Sequence, residues 1–213
     1  MKTDDLISML AMGDSSVACP RAGTRYAMAG GLGAIAAGLM MLVLLQLRHD
    51  LLQAMLLPMF WVKIGFVASL AGGSLFAVLR LSRPGASLEG VALFLSLPVL
   101  AIWAIAAYSL INAGPGERSR LFFGDTWTVC PLLIALLSLP VYLAIFRVMQ
   151  DMAPTRPRAA GFAAGFLSGA IAATVYCLHC PEMGAPFIGF WYLLGMLVPA
   201  LIGFWQGNTR LRW

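Results

Sequence analysis

Charge is what this chain has least of. Asp, Glu, Lys and Arg make up 11% of its 213 residues, against 61% hydrophobic, whereas a soluble domain carries about a quarter charged residues. That deficit excludes a water-exposed globule of this size. Apolar runs fill the chain from about Tyr26 to Gln206 instead, and they are continuous rather than alternating. Continuous runs indicate helices, because an open strand edge in lipid would leave backbone groups unpaired. The fold class expected is all-α: a polytopic bundle of six transmembrane helices over 24–46, 59–79, 89–112, 127–148, 159–178 and 188–206.

Since about 20 residues cross the hydrocarbon, six spans leave no room for a separate soluble domain. The expected organisation is a cytoplasmic N-terminal tail, 1–23, a transmembrane domain, 24–206, and a short C-terminal tail, 207–213. No basic stretch precedes the first span, and Asp4, Asp5 and Asp14 do, so it does not read as a cleavable signal.

Acids are missing from the spans, with Glu89 expected at the inner start of the third helix. This argues against an ion-coupled carrier, which needs ionisable groups inside the membrane. Long internal repeats are also absent, which excludes solenoid arrays. Small residues are abundant. Gly161, Gly165 and Gly169 recur at a four-residue spacing, the pattern that lets helix backbones approach closely.

The scarce basic residues set an orientation. Arg25, Arg80, Arg83, Arg147, Arg156, Arg158 and Arg210 collect on one side, with Lys2, Arg21 and Arg212. The other side holds only Arg48, Arg118 and Arg120. By the positive-inside rule both termini are cytoplasmic. Lys63, a few residues inside the second span, is expected to snorkel to the outer interface. The formal net charge of +5 has the same source and implies no direct nucleic-acid contact.

Cysteine is sparse, four in all, but its placement is specific. Cys130 opens the fourth helix ahead of Pro131, and Cys180 follows the fifth ahead of Pro181. Both prolines stand where helices tolerate them, which puts each thiol at a helix end near outer water. Three readings remain open for this pair. The outer side of a bacterial inner membrane is oxidising and permits a disulfide. Thiolates with His179, and with Met183 or Glu182, suit Cu(I) or another soft ion. The plainest reading is a static bridge or two small apolar side chains. Cys177 and Cys180 form a CxxC string, but at a helix C-terminus, where the dipole does not favour thiolate. The two would share a metal only if Cys177 faced the bundle.

The tail offers a second candidate. Thr3 is placed as an N-cap, and Asp4 and Asp5 fall in the first turn, where they match the helix dipole. Leu6, Met9, Leu10 and Ile7 then form an apolar face at helical spacing, which Gly13 and Asp14 end. A helix resting on the membrane surface normally carries a basic polar face, and this one does not. A helix offered to a cytoplasmic partner's groove fits at least as well.

Several segments together resemble the NrsF-like family. They are Met1 to Ile7, Phe60-Trp61-Val62-Lys63, Trp127 to Ile134 with Ser138-Leu139-Pro140, Ala153 to Pro157, and Leu178-His179-Cys180-Pro181-Glu182 followed by Trp191-Tyr192. The match runs in order over nearly the whole chain, with Cys19 and Cys177 outside its motifs. The resemblance implies a six-span anti-sigma factor of the bacterial inner membrane without catalytic chemistry. Its implied partner is an extracytoplasmic-function sigma factor docked on the tail, from Asp4 to Met12. It also implies that Cys130 and Cys180 sense heavy metal, copper or oxidative stress. No cofactor is required beyond a candidate soft metal at those thiols. The alternative is a membrane thiol-disulfide oxidoreductase reducing quinone, which would need a second CxxC pair.

Overall fold

A computed structural model describes residues 22–211 except 84, 86 and 88. Six helices are long and apolar enough to cross a membrane: α1 (Ala22–Leu44), α2 (Pro58–Leu81), α3 (Val91–Asn112), α4 (Cys130–Asp151), α5 (Pro157–Tyr176) and α6 (Ala185–Arg210). No strand occurs among the described residues.

The expected boundaries shift for local reasons. Proline near the N-terminus starts α2, α4, α5 and α6, because its missing N–H costs nothing there. The fourth span therefore begins at Cys130, with Trp127 to Val129 in the preceding turns. Glu89 is an exposed turn residue rather than the first residue of α3, which starts after Gly90 in a left-handed conformation. Two connections hold structure that the polar-loop reading missed: a single turn, Leu51–Ala54, and a helix, Pro115–Phe123.

Helix α5 is the centre of the bundle. It packs most extensively on α6, then on α4, α2 and α1, while α3 lies outside against α2 and the start of α6. The glycine spacing is the cause. A Cβ on Gly161, Gly165 or Gly169 would run into the α6 backbone at Gly203, Pro199 and Met196 respectively. Backbones at that distance gain dispersion contacts, the main source of helix association in lipid. The buried hydroxyls of Ser74, Ser138 and Ser168 donate to carbonyls three or four residues earlier on their own helices, so none of these three is stranded. Helix α3 instead exposes Leu93, Phe94, Leu97 and Leu100, as lipid-facing side chains must be.

The two ends differ in chemistry. At one, Arg25 pairs with Asp151, and the Tyr26 hydroxyl lies 2.8 Å from Ser82 Oγ and 3.3 Å from Met149 Sδ. The starts of α1 and α5 and the ends of α2, α4 and α6 meet there. The opposite end carries both cysteines singled out above.

Candidate functional site

Cys180 lies four residues past α5, and Cys130 is the first residue of α4. The fold brings them together: Cys130 lies within reach to donate its S–H to the Cys180 sulfur. Both are free thiols, and both are fully buried. The expectation that each sits near water is corrected here. The chain after α5 turns back into the bundle and carries Cys180 under its own loop.

Lys63 accounts for that turn. Instead of snorkelling outward it is fully buried, and its Nζ donates to the carbonyls of Cys180 and Glu182, each at 3.0 Å. It also lies 5.1 Å from the centroid of the Tyr192 ring. An ammonium taken out of water must regain its hydration from such groups. Snorkelling would break both of these bonds and leave the Cys180 carbonyl with Arg48 alone, so the buried rotamer prevails.

The rest of the loop is tied down from several sides. Arg48 forms two bonds to Asp50, at 2.7 and 2.6 Å, and its Nη1 reaches the Cys180 carbonyl at 3.4 Å. The Asp125 N–H donates to Glu182 Oε1 at 2.8 Å. Gly124 has φ +55, and a Cβ there would overlap the Glu182 carboxylate. Only glycine serves both needs.

A π-helical turn, Ile188–Tyr192, interrupts α6 beside the thiols. It supplies buried Tyr192, and it aims Trp191 Nε1 at the Phe122 carbonyl, 2.9 Å away. Such turns recur at functional sites. Nothing in the apolar run of this span signals it.

Cys180 sits well below the usual thiol range. The first cause is the hydrogen bond from Cys130, which favours the thiolate, and the Lys63 charge adds to it against the opposing cost of burial. Cys177 faces the bundle, where burial pushes its thiol up to about 12.

The candidate soft-metal set is not assembled. Among the described residues no three His, Cys, Asp or Glu side chains are placed to hold an ion. His179 joins its Nδ1 to the Gln46 carbonyl at 2.9 Å instead, and Met183 is half-buried in the loop. Of Cys130, Cys180, His179 and Met183, only the two thiols converge. The tail residues Asp4, Asp5, Leu6, Ile7, Met9 and Leu10, with Cys19, lie outside the described residues.

Sequence reasoning found the two cysteines and missed what surrounds them. Lys63 had a signal, a lone charge one turn inside an apolar span. Tyr192 and Arg48 had none, because each gains its place only through a contact with a distant segment.

A six-helix membrane bundle with a buried thiol pair at one end is the class of protein defined here. The family model described as negative regulator of sigma F matches residues 10–213, and the chain belongs to that NrsF family. It is 68% identical, over the full length of both chains, to the probable anti-sigma-F factor NrsF of Azospira oryzae. It is 41% identical, again over the whole of both, to the anti-sigma-F factor NrsF of Caulobacter vibrioides. No solved structure matches it.

Proposed function

We propose that this chain is a non-enzymatic regulator, an anti-sigma factor of the bacterial inner membrane with both termini in the cytoplasm. It holds an extracytoplasmic-function sigma factor through the apolar face of its tail, Leu6, Ile7, Met9 and Leu10, with Asp4 and Asp5 in the first turn. It releases that factor when the outer pair Cys130 and Cys180 is oxidised. The regulatory part rests on family membership and on what the two relatives are named for.

The observation that carries the sensing part is the convergence of two free thiols from helices α4 and α5, fifty residues apart in sequence. Two thiols that share one buried cluster form a disulfide once their Cβ atoms come to about 3.5–4.5 Å. Oxidant is taken as the signal because, among the described residues, no group of three His, Cys, Asp or Glu side chains is placed to hold an ion; a soft metal bridging the two thiols is the alternative signal. An oxidoreductase reading is disfavoured, since turnover would require a second thiol pair to accept or pass electrons, and Cys177 alone, the one other described cysteine, does not make a pair.

Transmission follows from the packing. A bond between Cys130 and Cys180 would pull the start of α4 against the end of α5, and α5 touches α1, α2, α4 and α6. Packed helices shift between discrete arrangements rather than bending smoothly. The shift would then weaken tail docking at the inner face, where loops near Arg80 to Arg83 and Arg147 to Arg158 help mask the sigma factor. Moving the system from mostly bound to mostly free requires a differential of about 5.5 kcal/mol, which a covalent bond can supply.

The test is purification of the detergent-solubilised protein from its native host, with and without residues 1–20 and before and after oxidant, with co-eluting proteins identified by mass spectrometry. A sigma factor retained only by the intact tail and lost on oxidation is expected. Its absence from the reduced, full-length sample would refute the reading.

A further inference from the structure

The charge balance around Lys63 is incomplete. Among the described residues the ion pairs are Arg25 with Asp151 and Arg48 with Asp50, so no carboxylate reaches the Lys63 ammonium. Glu182 gives it a backbone carbonyl only, and its carboxylate is engaged by the Asp125 N–H. Arg48 adds further positive charge on the same Cys180 carbonyl. A fully buried ammonium balanced only by carbonyl dipoles and a ring face is expensive, and it selects for an anion nearby. The other titratable groups around Lys63 and Cys180 are Cys130 from α4, Tyr176 and Cys177 from the end of α5, and Tyr192 from α6. The buried Tyr192 hydroxyl stands beside Cys177 and Cys180.

We infer that Lys63 is the built-in counter-charge of a Cys180 thiolate, and that it thereby makes Cys180 the attacking sulfur toward a two-electron oxidant of the peroxide class and Cys130 the thiol that closes the disulfide. The inference rests on the thiol-sensor reading above and assigns its unequal parts. The low position of Cys180 agrees with it, the bond from Cys130 being the first cause and Lys63 a further one.

The chemistry balances with hydrogen peroxide as oxidant. The Cys180 thiolate attacks one peroxide oxygen, the O–O bond breaks, and hydroxide leaves while the sulfur becomes a sulfenic acid. The Cys130 sulfur then attacks the Cys180 sulfur. The S–S bond forms, the S–O bond breaks, and the sulfenic oxygen leaves as water with the Cys130 proton. Two electrons pass from the sulfurs to one peroxide, and the negative charge departs as hydroxide. Lys63 is then a buried cation without its anion. It is a positioning residue: it touches no oxidant, but it holds the loop carbonyls and sets the charge state of the sulfur. Loss of the anion gives the 177–184 loop a reason to leave the bundle, which couples thiol chemistry to movement at α5 and α6.

The experiment is peroxide oxidation of the purified full-length protein from about pH 6 to about pH 9, a range that brackets the ordinary thiol value of about 8.5. Disulfide is quantified by non-reducing peptide mapping, and retained sigma factor is measured in parallel. The wild-type rate should be nearly independent of pH. The Lys63→Met variant keeps the apolar stem and removes the charge; it should be at least roughly tenfold slower at pH 7 and recover its rate as pH approaches the ordinary thiol value. An unchanged rate and profile in Lys63→Met overturns the inference. If that variant does not fold, the wild type decides alone, since a rate that climbs through the ordinary thiol range would equally sink it. Oxidation that releases the sigma factor regardless of Lys63 would leave the proposed function standing without this inference. Fast, Lys63-dependent disulfide formation with the factor still bound would do the reverse.

Discussion

Gly161 and Gly203 meet backbone to backbone, and a Cβ on either would overlap the carbonyl oxygen of the other. This contact lies near the start of α5 and the end of α6, and Gly165 against Pro199 and Gly169 against Met196 continue it toward the thiol end of the bundle. Gly161→Ala should therefore force the helices apart and destabilise the bundle by about 1–3 kcal/mol, the usual cost of overpacking. Gly38→Ala, at a position with open space around it, should be neutral or slightly stabilising. Thermal unfolding of both variants in detergent compares them directly, and equal melting temperatures would mean the crossing is looser than described.

Cys177 should be inert beside its reactive neighbours. It is fully buried, and burial holds its thiol up to about 12, so almost none is thiolate at neutral pH. In the folded protein peroxide should leave Cys177 reduced while Cys130 and Cys180 are consumed. Cys177→Ala should keep the oxidation response. Mass mapping of each cysteine after oxidation checks the first expectation, and a Cys177–Cys180 crosslink as the main product would contradict it.

Replacing Leu6 or Leu10 with Asp should release the sigma factor without altering membrane insertion. Burial of one leucine side chain is worth about 1.5–3 kcal/mol, so binding should weaken by roughly tenfold or more. Fractionation followed by pull-down measures both quantities. Undiminished retention by both variants would move the docking element elsewhere on the inner face.

At the end of the bundle opposite the thiols, Tyr26→Phe removes one hydroxyl that reaches Ser82 and Met149. Ser82 keeps its bond to the Val78 carbonyl, 2.8 Å away, so no partner is left stranded. The expected cost is about 0.5–1.5 kcal/mol, seen as a modest fall in melting temperature with the outer thiol chemistry unchanged. A variant that lost oxidant-triggered release but kept disulfide formation would place Tyr26 on the route between the two ends.

Much of the architecture was legible because it follows from one-dimensional quantities. Hydropathy located six spans, and the prolines near helix starts corrected their edges. Gly161, Gly165 and Gly169 announced a close helix crossing because a four-residue spacing puts them on one face. The partner face was equally legible: Gly195, Pro199, Gly203 and Gly207 keep the same four-residue spacing on α6, and only the packing showed that the two stripes meet.

Cys130 and Cys180 were identifiable from their places at helix ends, but their surroundings were misjudged. A thiol between polar residues and a proline reads as solvent-exposed, and an ammonium one turn inside a span reads as snorkelling, when each is taken alone. Together they satisfy one another: Lys63 draws in the Cys180 and Glu182 carbonyls, and the loop that follows buries the sulfur.

What the sequence determined by itself is the solvent of each segment, because transfer of apolar side chains into lipid is a sum over residues that does not depend on their neighbours. Only the tertiary structure decided which polar groups would be buried together. The cost of desolvating Lys63, Arg48 or a thiolate depends on the partners within a few ångströms, and those partners come from α4, α6 and the loops after α1 and α5 at once.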